Sequence, residues 1–367
     1  MEKAKISSIQ LFLLLSGFIF GSTVILAPGR AARHDGWLAV LLGGIGSILL
    51  MEIYAAVALL NPSKTLVDIL KEKMGKVVGN LFAILYIWYF IHLASLVLRN
   101  FGEFICTVTF PETPMVLVIG LFAILLLYAV NSGIEVMGRL GELLVPAIPF
   151  IVFIISLSLL SAHDFTAFLP ILENGIVPVL KTALNIISFP FGETVVFLML
   201  FPHLNRKEKL KKVVFISASI SVLAGIALTF RDIFVLGTDL MARITFIPHL
   251  TAMLIPWLNV EPLVDINLLI GGGIKISVCI YAAAKALSQI TGIDDYRKLT
   301  SAIFTFCVVL SIWVYENVIE MFDWVEKVWF YYSVPFQIII PLLLLVLSLR
   351  KKQALKGNDI ENGNVEQ

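Results

Sequence analysis

Ten apolar stretches run along the chain, each close to the roughly 20 residues that a helix needs to cross the hydrocarbon of a bilayer. They fall near Ser8–Pro28, Trp37–Leu60, Val78–Phe104, Pro114–Val130 and Leu140–Leu160. After a more polar interval they resume near Ile176–Phe201, Val213–Leu236, Ile266–Ile290, Thr300–Val318 and Trp329–Leu349. Between them, Ser63–Lys76 sets Leu66, Ile69, Leu70, Met74 and Val77 against charged residues, the pattern of a helix lying in the interface. Ala242–Leu258 is apolar but interrupted by Pro248 and Pro256, so it is expected to lie on the outer face or re-enter it. The pattern predicts one all-α membrane domain over residues 1–350. Residues 351–367 form a cytoplasmic tail, and its polar end (Gly357–Gln367) is expected to be irregular.

Composition agrees. Of 367 residues, 59% are hydrophobic and 14% charged, whereas a soluble domain runs near half and a quarter. The net charge of +1 says nothing about nucleic acid, but no basic domain, RNA-binding signature or zinc-finger spacing appears, and nucleic acid is not expected as a partner. Cys106, Cys279 and Cys307 all lie in apolar runs without a disulfide pattern and read as packing. The first apolar run follows Lys3 and Lys5 but lacks a small-x-small cleavage site, so it reads as a span and not as a signal peptide. Lysine and arginine gather in alternate loops, notably Lys64–Lys76, Arg206–Lys212 and Arg350–Lys356, which places both termini in the cytoplasm. Arg30, Arg33, Arg231 and Arg243 stand on the wrong side for that rule.

The first and sixth stretches share a motif. Phe18-Ile19-Phe20-Gly21-Ser22-Thr23-Val24 is followed by Pro28, and Phe189-Pro190-Phe191-Gly192-Glu193-Thr194-Val195 by Pro202. Each copy opens a set of five spans, residues about 6–162 and about 175–350. Five is odd, so the second set inserts upside down, as in inverted-repeat transporters. Short Phe/Gly/Val matches also arise by chance, and the placement of these two favours a true repeat. Gly17, Gly21 and Gly192 would let helix unwind, and Pro190 disfavours helix at Phe189. Broken helices at membrane depth must be buried or line a cavity. A half-helix starting at Gly21–Thr23 would offer N–H groups to a carboxylate, and carbonyls around Ile187–Phe189 would suit an ammonium or a cation.

Ionisable residues inside spans point to function by default. Glu193 at the second break could neutralise an amine, bind a cation or titrate, or could be a structural carboxylate with a neighbouring donor. Lys275, after Gly271-Gly272-Gly273 and before Ser277, could pair with Glu193, stand in a cation's place or snorkel to the surface. Tyr89, His92 and Leu96 share a helix face and could wall the site; His92 reads equally well as a satisfied core histidine. Glu52 and the Arg99/Glu103 pair read as structural. No H-E-x-x-H, G-x-S-x-G, Walker A or metal-spaced cluster occurs, so neither enzyme activity, a metal nor a cofactor is expected.

The chain resembles the B subunits of the nutrient germinant receptors of spore-forming bacteria, members of the amino acid–polyamine–organocation transporter superfamily. The resemblance reaches to about residue 350 and rests on four features: the Gly21-to-Pro28 stretch, the Phe189–Glu193 break, the basic turn Arg206–Lys212 and Gly133-Ile134-Glu135-Val136-Met137-Gly138-Arg139. One departure is Glu261-Pro262, where members often have Glu-Arg. The resemblance implies the amino-acid transporter fold and a subunit in the spore inner membrane, beside an A subunit and a lipoprotein C subunit. It also implies recognition of a small nutrient, such as an amino acid, that triggers germination. A cation- or proton-coupled transporter, or a channel or scaffold with a vestigial site, are the competing functions.

Overall fold

A computed structural model describes residues 4–23, 27, 29–255 and 259–363. Among the described residues each predicted span forms helix, with a break in the sixth. The helices are α1 (Ser8–Thr23), α2 (Gly36–Leu60), α3 (Lys76–Phe104), α4 (Met115–Asn131), α5 (Ile134–Ser158) and α6 (Ile176–Met199). They continue with α7 (Leu210–Arg243), α8 (Glu261–Thr291), α9 (Arg297–Trp313) and α10, which starts at Trp329. Among the described residues, seven helices are long and apolar enough to span a bilayer; α9 with the helix after it makes an eighth candidate, and α1 and α4 are shorter apolar helices. With its exposed apolar flanks (Leu121, Ile124, Phe150, Phe153, Leu223), the chain is an integral membrane protein.

Local chemistry fixes several ends. Ser7 and Gln10 form a reciprocal cap at the start of α1, the Gln10 N–H reaching Ser7 Oγ at 3.1 Å and the Ser7 N–H reaching Gln10 Oε1 at 2.9 Å. Gly292, at φ 78°, closes α8 in the left-handed conformation. The ninth span ends earlier than its hydropathy suggests. The Arg99 guanidinium donates to the carbonyls of Ser311 and Ile312, taking up bonds a continuing helix would have supplied, while Glu103 holds Arg99 at 2.7 Å. Asn317 then caps a separate amphipathic helix, Val318–Lys327, bent by 100° from α9. The backbone of α10 stays helical to Gly363, into the segment where an irregular tail was expected; Gln353-Ala354-Leu355-Lys356 are good helix formers.

In the packing, helices of one half meet their counterparts in the other. α2 lies along α7, α3 along α8, and α1 touches α6 over Ile187–Phe191 and Gly192–Met199, while α8 at the centre also packs on α1. Glycines permit the closest crossing: a Cβ at Gly21 would overlap the Gly271 carbonyl of α8.

The start of the chain closes the face that carries both termini. Ile6 N–H donates to the His203 carbonyl (2.9 Å) and the Ile6 carbonyl accepts from Asn205 (3.0 Å), tying residues 4–7 to the end of α6. A helix forms on that face over Leu66–Met74, with Thr65 and Asp68 in a capping box, but Leu66, Ile69 and Leu70 are buried in the protein core and Val77 belongs to α3, so the apolar face expected at the interface is covered by protein. On the opposite face three of the four arginines that depart from the loop-charge rule have local partners. Arg231 is buried against Asp232 (2.6 Å), Arg30 donates to the Ala242 carbonyl (2.8 Å), and Arg33 lies 3.7 Å from Asp239. There Ile247–Met253 forms the short helix of the proline-interrupted segment, whose Pro256 lies outside the described residues.

Candidate functional site

The break in α6 forms where the motif predicts it. Helix runs over Ile176–Ile186, Phe189 is extended (φ −134°, ψ 120°), and a tighter 3-10 segment follows from Gly192. Proline has no N–H to donate, and its ring disfavours helix at the residue before it, which is Phe189. The first copy behaves differently. Ile19 stands where the second copy has Pro190, and α1 continues as helix through Gly21, Ser22 and Thr23. Those three residues are its last turn and do not begin a half-helix, so the anion site expected on their N–H groups is absent there. Any break in α1 falls after Thr23, where Val24 and Pro28 lie outside the described residues. Gly17 and Gly21 serve close packing instead: a Cβ at Gly17 would come within 2.8 Å of Ile274 and 2.9 Å of Val145.

Two carbonyls expected to be free at the second break are taken. The Ile187 carbonyl accepts from the Gly192 N–H, and the Ser188 carbonyl from Gln337 Nε2 at 3.0 Å.

Lys275 pairs with Glu193, and both side chains are essentially inaccessible, at 0% and 1% exposed. The surface-snorkelling alternative is thereby removed. The ammonium also lies 5.0 Å from the ring centre of Phe18 and 5.1 Å from that of Phe189. Removing solvent strengthens both kinds of attraction, and the four groups together form a compact charged plug. Glu193 Oε1 is buried and meets no hydrogen-bond donor among the described residues. Ser277, two residues beyond Lys275, points about 200° away round the helix and so does not join the pair.

Three polar residues complete the neighbourhood, and two of them escaped sequence reasoning. Gln337 sits in a π turn of α10 (Pro335–Ile339) and donates to the Tyr89 hydroxyl (2.8 Å) as well as to Ser188. The Tyr54 hydroxyl of α2 reaches the carbonyls of Gly192 (3.0 Å) and Gln337 (2.7 Å). Tyr89 is the member of its predicted face that arrives at the site. His92 bonds the Tyr332 hydroxyl at 3.0 Å and packs among Trp88 and Trp324, a satisfied core histidine, while Leu96 is buried in the apolar core. Pro190 and Phe191 are buried beside the break. Phe20 turns instead to a small cavity of about 50 Å³ that also meets Arg231, Asp232 and Asn267.

Open space lies beside the pair, not at it. A cavity of about 480 Å³ is lined by Asn185, Ile186 and Phe189 of α6, by Phe322 and Trp329, and by charges of both signs, Arg30, Arg33, Asp323 and Glu326. Neither Lys275 nor Glu193 lines it; the Phe189 ring, which does, rests against Lys275. Among the described residues no group of three or more His, Cys, Asp or Glu side chains could hold a metal.

Over residues 5–319 the sequence matches the family described as spore germination protein. The chain belongs to the spore germination protein family. It is 34% identical to spore germination protein KB of Bacillus subtilis (strain 168), covering 96% of this chain and 97% of that one. The putative spore germination protein YfkT of the same organism is 22% identical over 93% of this chain and 96% of its own length. Two solved structures share the fold of this family member. One is Mhp1, a nucleobase-cation-symport-1 family transporter in a closed conformation with bromovinylhydantoin bound (TM-score 0.68, 10% identity, 94% of this chain and 78% of that one). The other is MhsT in complex with L-phenylalanine (TM-score 0.60, 14% identity, 93% and 98%). The architecture is therefore the amino-acid transporter fold, ten helices in a five-plus-five inverted repeat.

Proposed function

We propose that this protein is the membrane subunit of a nutrient germinant receptor in the spore inner membrane, with both termini facing the cytoplasm. In this reading it binds a small solute such as an amino acid at the break of α6 and thereby triggers germination, in company with an A subunit and a lipoprotein C subunit. One observation carries the reading. Glu193, a buried carboxylate with one oxygen that meets no donor among the described residues, pairs with Lys275, and the Phe189 ring that rests against Lys275 also lines a cavity bearing both signs of charge. A solute bearing a donor group would satisfy that oxygen. The membership in a family of spore germination proteins supports the receptor role.

The test is germination of spores lacking this protein, set against wild-type spores, on each of the L-amino acids and glucose singly. A lost response should reappear with the wild-type gene and stay lost with Glu193→Gln, at normal protein levels. Full germination by that variant would refute the site. The transporter fold favours a second reading, a coupled symporter. Proton-driven uptake by the protein alone in liposomes would select it.

A further inference from the structure

α6 and α10 both abandon regular α-helix within reach of one side chain. Phe189 is extended in α6, and α10 widens to a π turn over Pro335–Ile339. Irregular backbone away from water leaves carbonyls that need donors, and here the donors cross between the two helices. Gln337 of α10 serves the Ser188 carbonyl of α6, and Tyr54 reaches one carbonyl on each helix, Gly192 and Gln337. The fit is also tight sterically, since a Cβ at Gly192 would overlap Gln337 Oε1. Gln337 itself is wholly buried. Neither helix can slide or turn alone without stranding a buried polar group.

We infer that Gln337 makes the break of α6 and the π turn of α10 one moving unit, so that a solute acting on α6 is registered in α10. The inference rests on the reading of that break as a solute site. The direction of transmission follows from the chain. α10 begins just after the Val318–Lys327 helix, whose Asp323 and Glu326 line the cavity. It ends on the face of the termini, where Lys351 bonds Glu72. Gln337 is thus a positioning residue, joining the cavity side of the protein to the face of the termini.

Amide hydrogen exchange of the full chain in lipid nanodiscs tests the link without any nutrient. Glu193→Gln, which disturbs the pair on α6, should speed exchange about tenfold in both 186–192 and 333–339. Placed on Gln337→Met, which keeps the volume and removes the donors, it should speed 186–192 alone. Equal speeding of 333–339 in both backgrounds, or none in either, overturns the inference. Tyr54→Phe provides the second case and should weaken transfer in the same sense. If neither variant accumulates, Gln337 only holds the fold and the inference falls. Lost coupling with a normal nutrient response discards the link and keeps the site; intact coupling in a protein that answers no nutrient does the reverse.

Discussion

Phe18 and Phe189 hold the same position in the two copies of the repeat, and both lay their rings against the Lys275 ammonium, at 5.0 and 5.1 Å. A motif noticed as a likeness between two stretches is, in three dimensions, a pair of walls around one charge. The residue that answers that charge, Glu193, comes from the second copy at the place where the first has Ser22. The two halves therefore contribute matched apolar groups and unmatched polar ones, which is how an inverted repeat can build an asymmetric site.

The pair makes a stability prediction. Lys275→Met leaves the Glu193 carboxylate buried alone, and such a break costs about 3–5 kcal/mol. Replacing both, as Lys275→Met with Glu193→Leu, removes the charges together and should recover most of the loss. Thermal unfolding of the four proteins in nanodiscs gives the coupling directly. A double variant whose loss equals the sum of the single losses would mean that the two charges do not support each other.

Gly21 predicts a steric outcome and not a loss of unwinding. Even Gly21→Ala sets a methyl on the Gly271 carbonyl, and backbone cannot step aside as a side chain can, so a loss of about 1–3 kcal/mol or more is expected. Gly272→Ala, one residue along α8, meets nothing nearer than 3.9 Å and should be tolerated. Protein levels and melting midpoints of the two variants provide the comparison; equal stability would refute the crossing.

The contrast between the two motif copies shows what sequence could reveal. Pro190 acts through its own ring and its neighbour's backbone, so the break at Phe189 was legible from a dipeptide. The ten spans were legible for the same reason, because water and lipid sort residues along the chain before any tertiary contact forms. Gly21 was misread, since glycine permits both unwinding and close approach, and only the position of Gly271, far along the chain, decides between them. Gln337 and Tyr54 gave no local signal at all. Their partners are main-chain carbonyls 149 and 138 residues away, and a carbonyl leaves no mark in a sequence.

On the face of the termini, Glu72 joins the Leu66–Met74 helix to the end of α10. Its carboxyl bonds Lys351 and Lys64, which hold it down from 4.5 to about 2. A depressed carboxylate stabilises fully above its unfolded value and loses that contribution as pH falls through the folded one. The stability of the wild-type protein should therefore decline between about pH 5 and about pH 2 more steeply than that of Glu72→Gln. Unfolding midpoints across that range in detergent check the sign. Parallel curves would show that the cluster adds nothing to the fold.

The Phe189 ring lines the open cavity and rests against Lys275, and the protein carries a reporter for a path between the cavity and the pair. Cys279 is one turn beyond Lys275 on α8 and wholly buried, while Cys307 is buried on α9. In a Cys106→Ser background, which removes the partly accessible thiol, a small charged methanethiosulfonate reagent should modify Cys279 slowly. Phe189→Ala deletes the ring that lines the cavity and touches Lys275, and should raise that rate about tenfold or more, leaving Cys307 unchanged. Faster modification of both thiols would indicate general loosening and not an opened path. An unchanged Cys279 would mean that other groups seal the pair, and the cavity would then have no claim to be its antechamber.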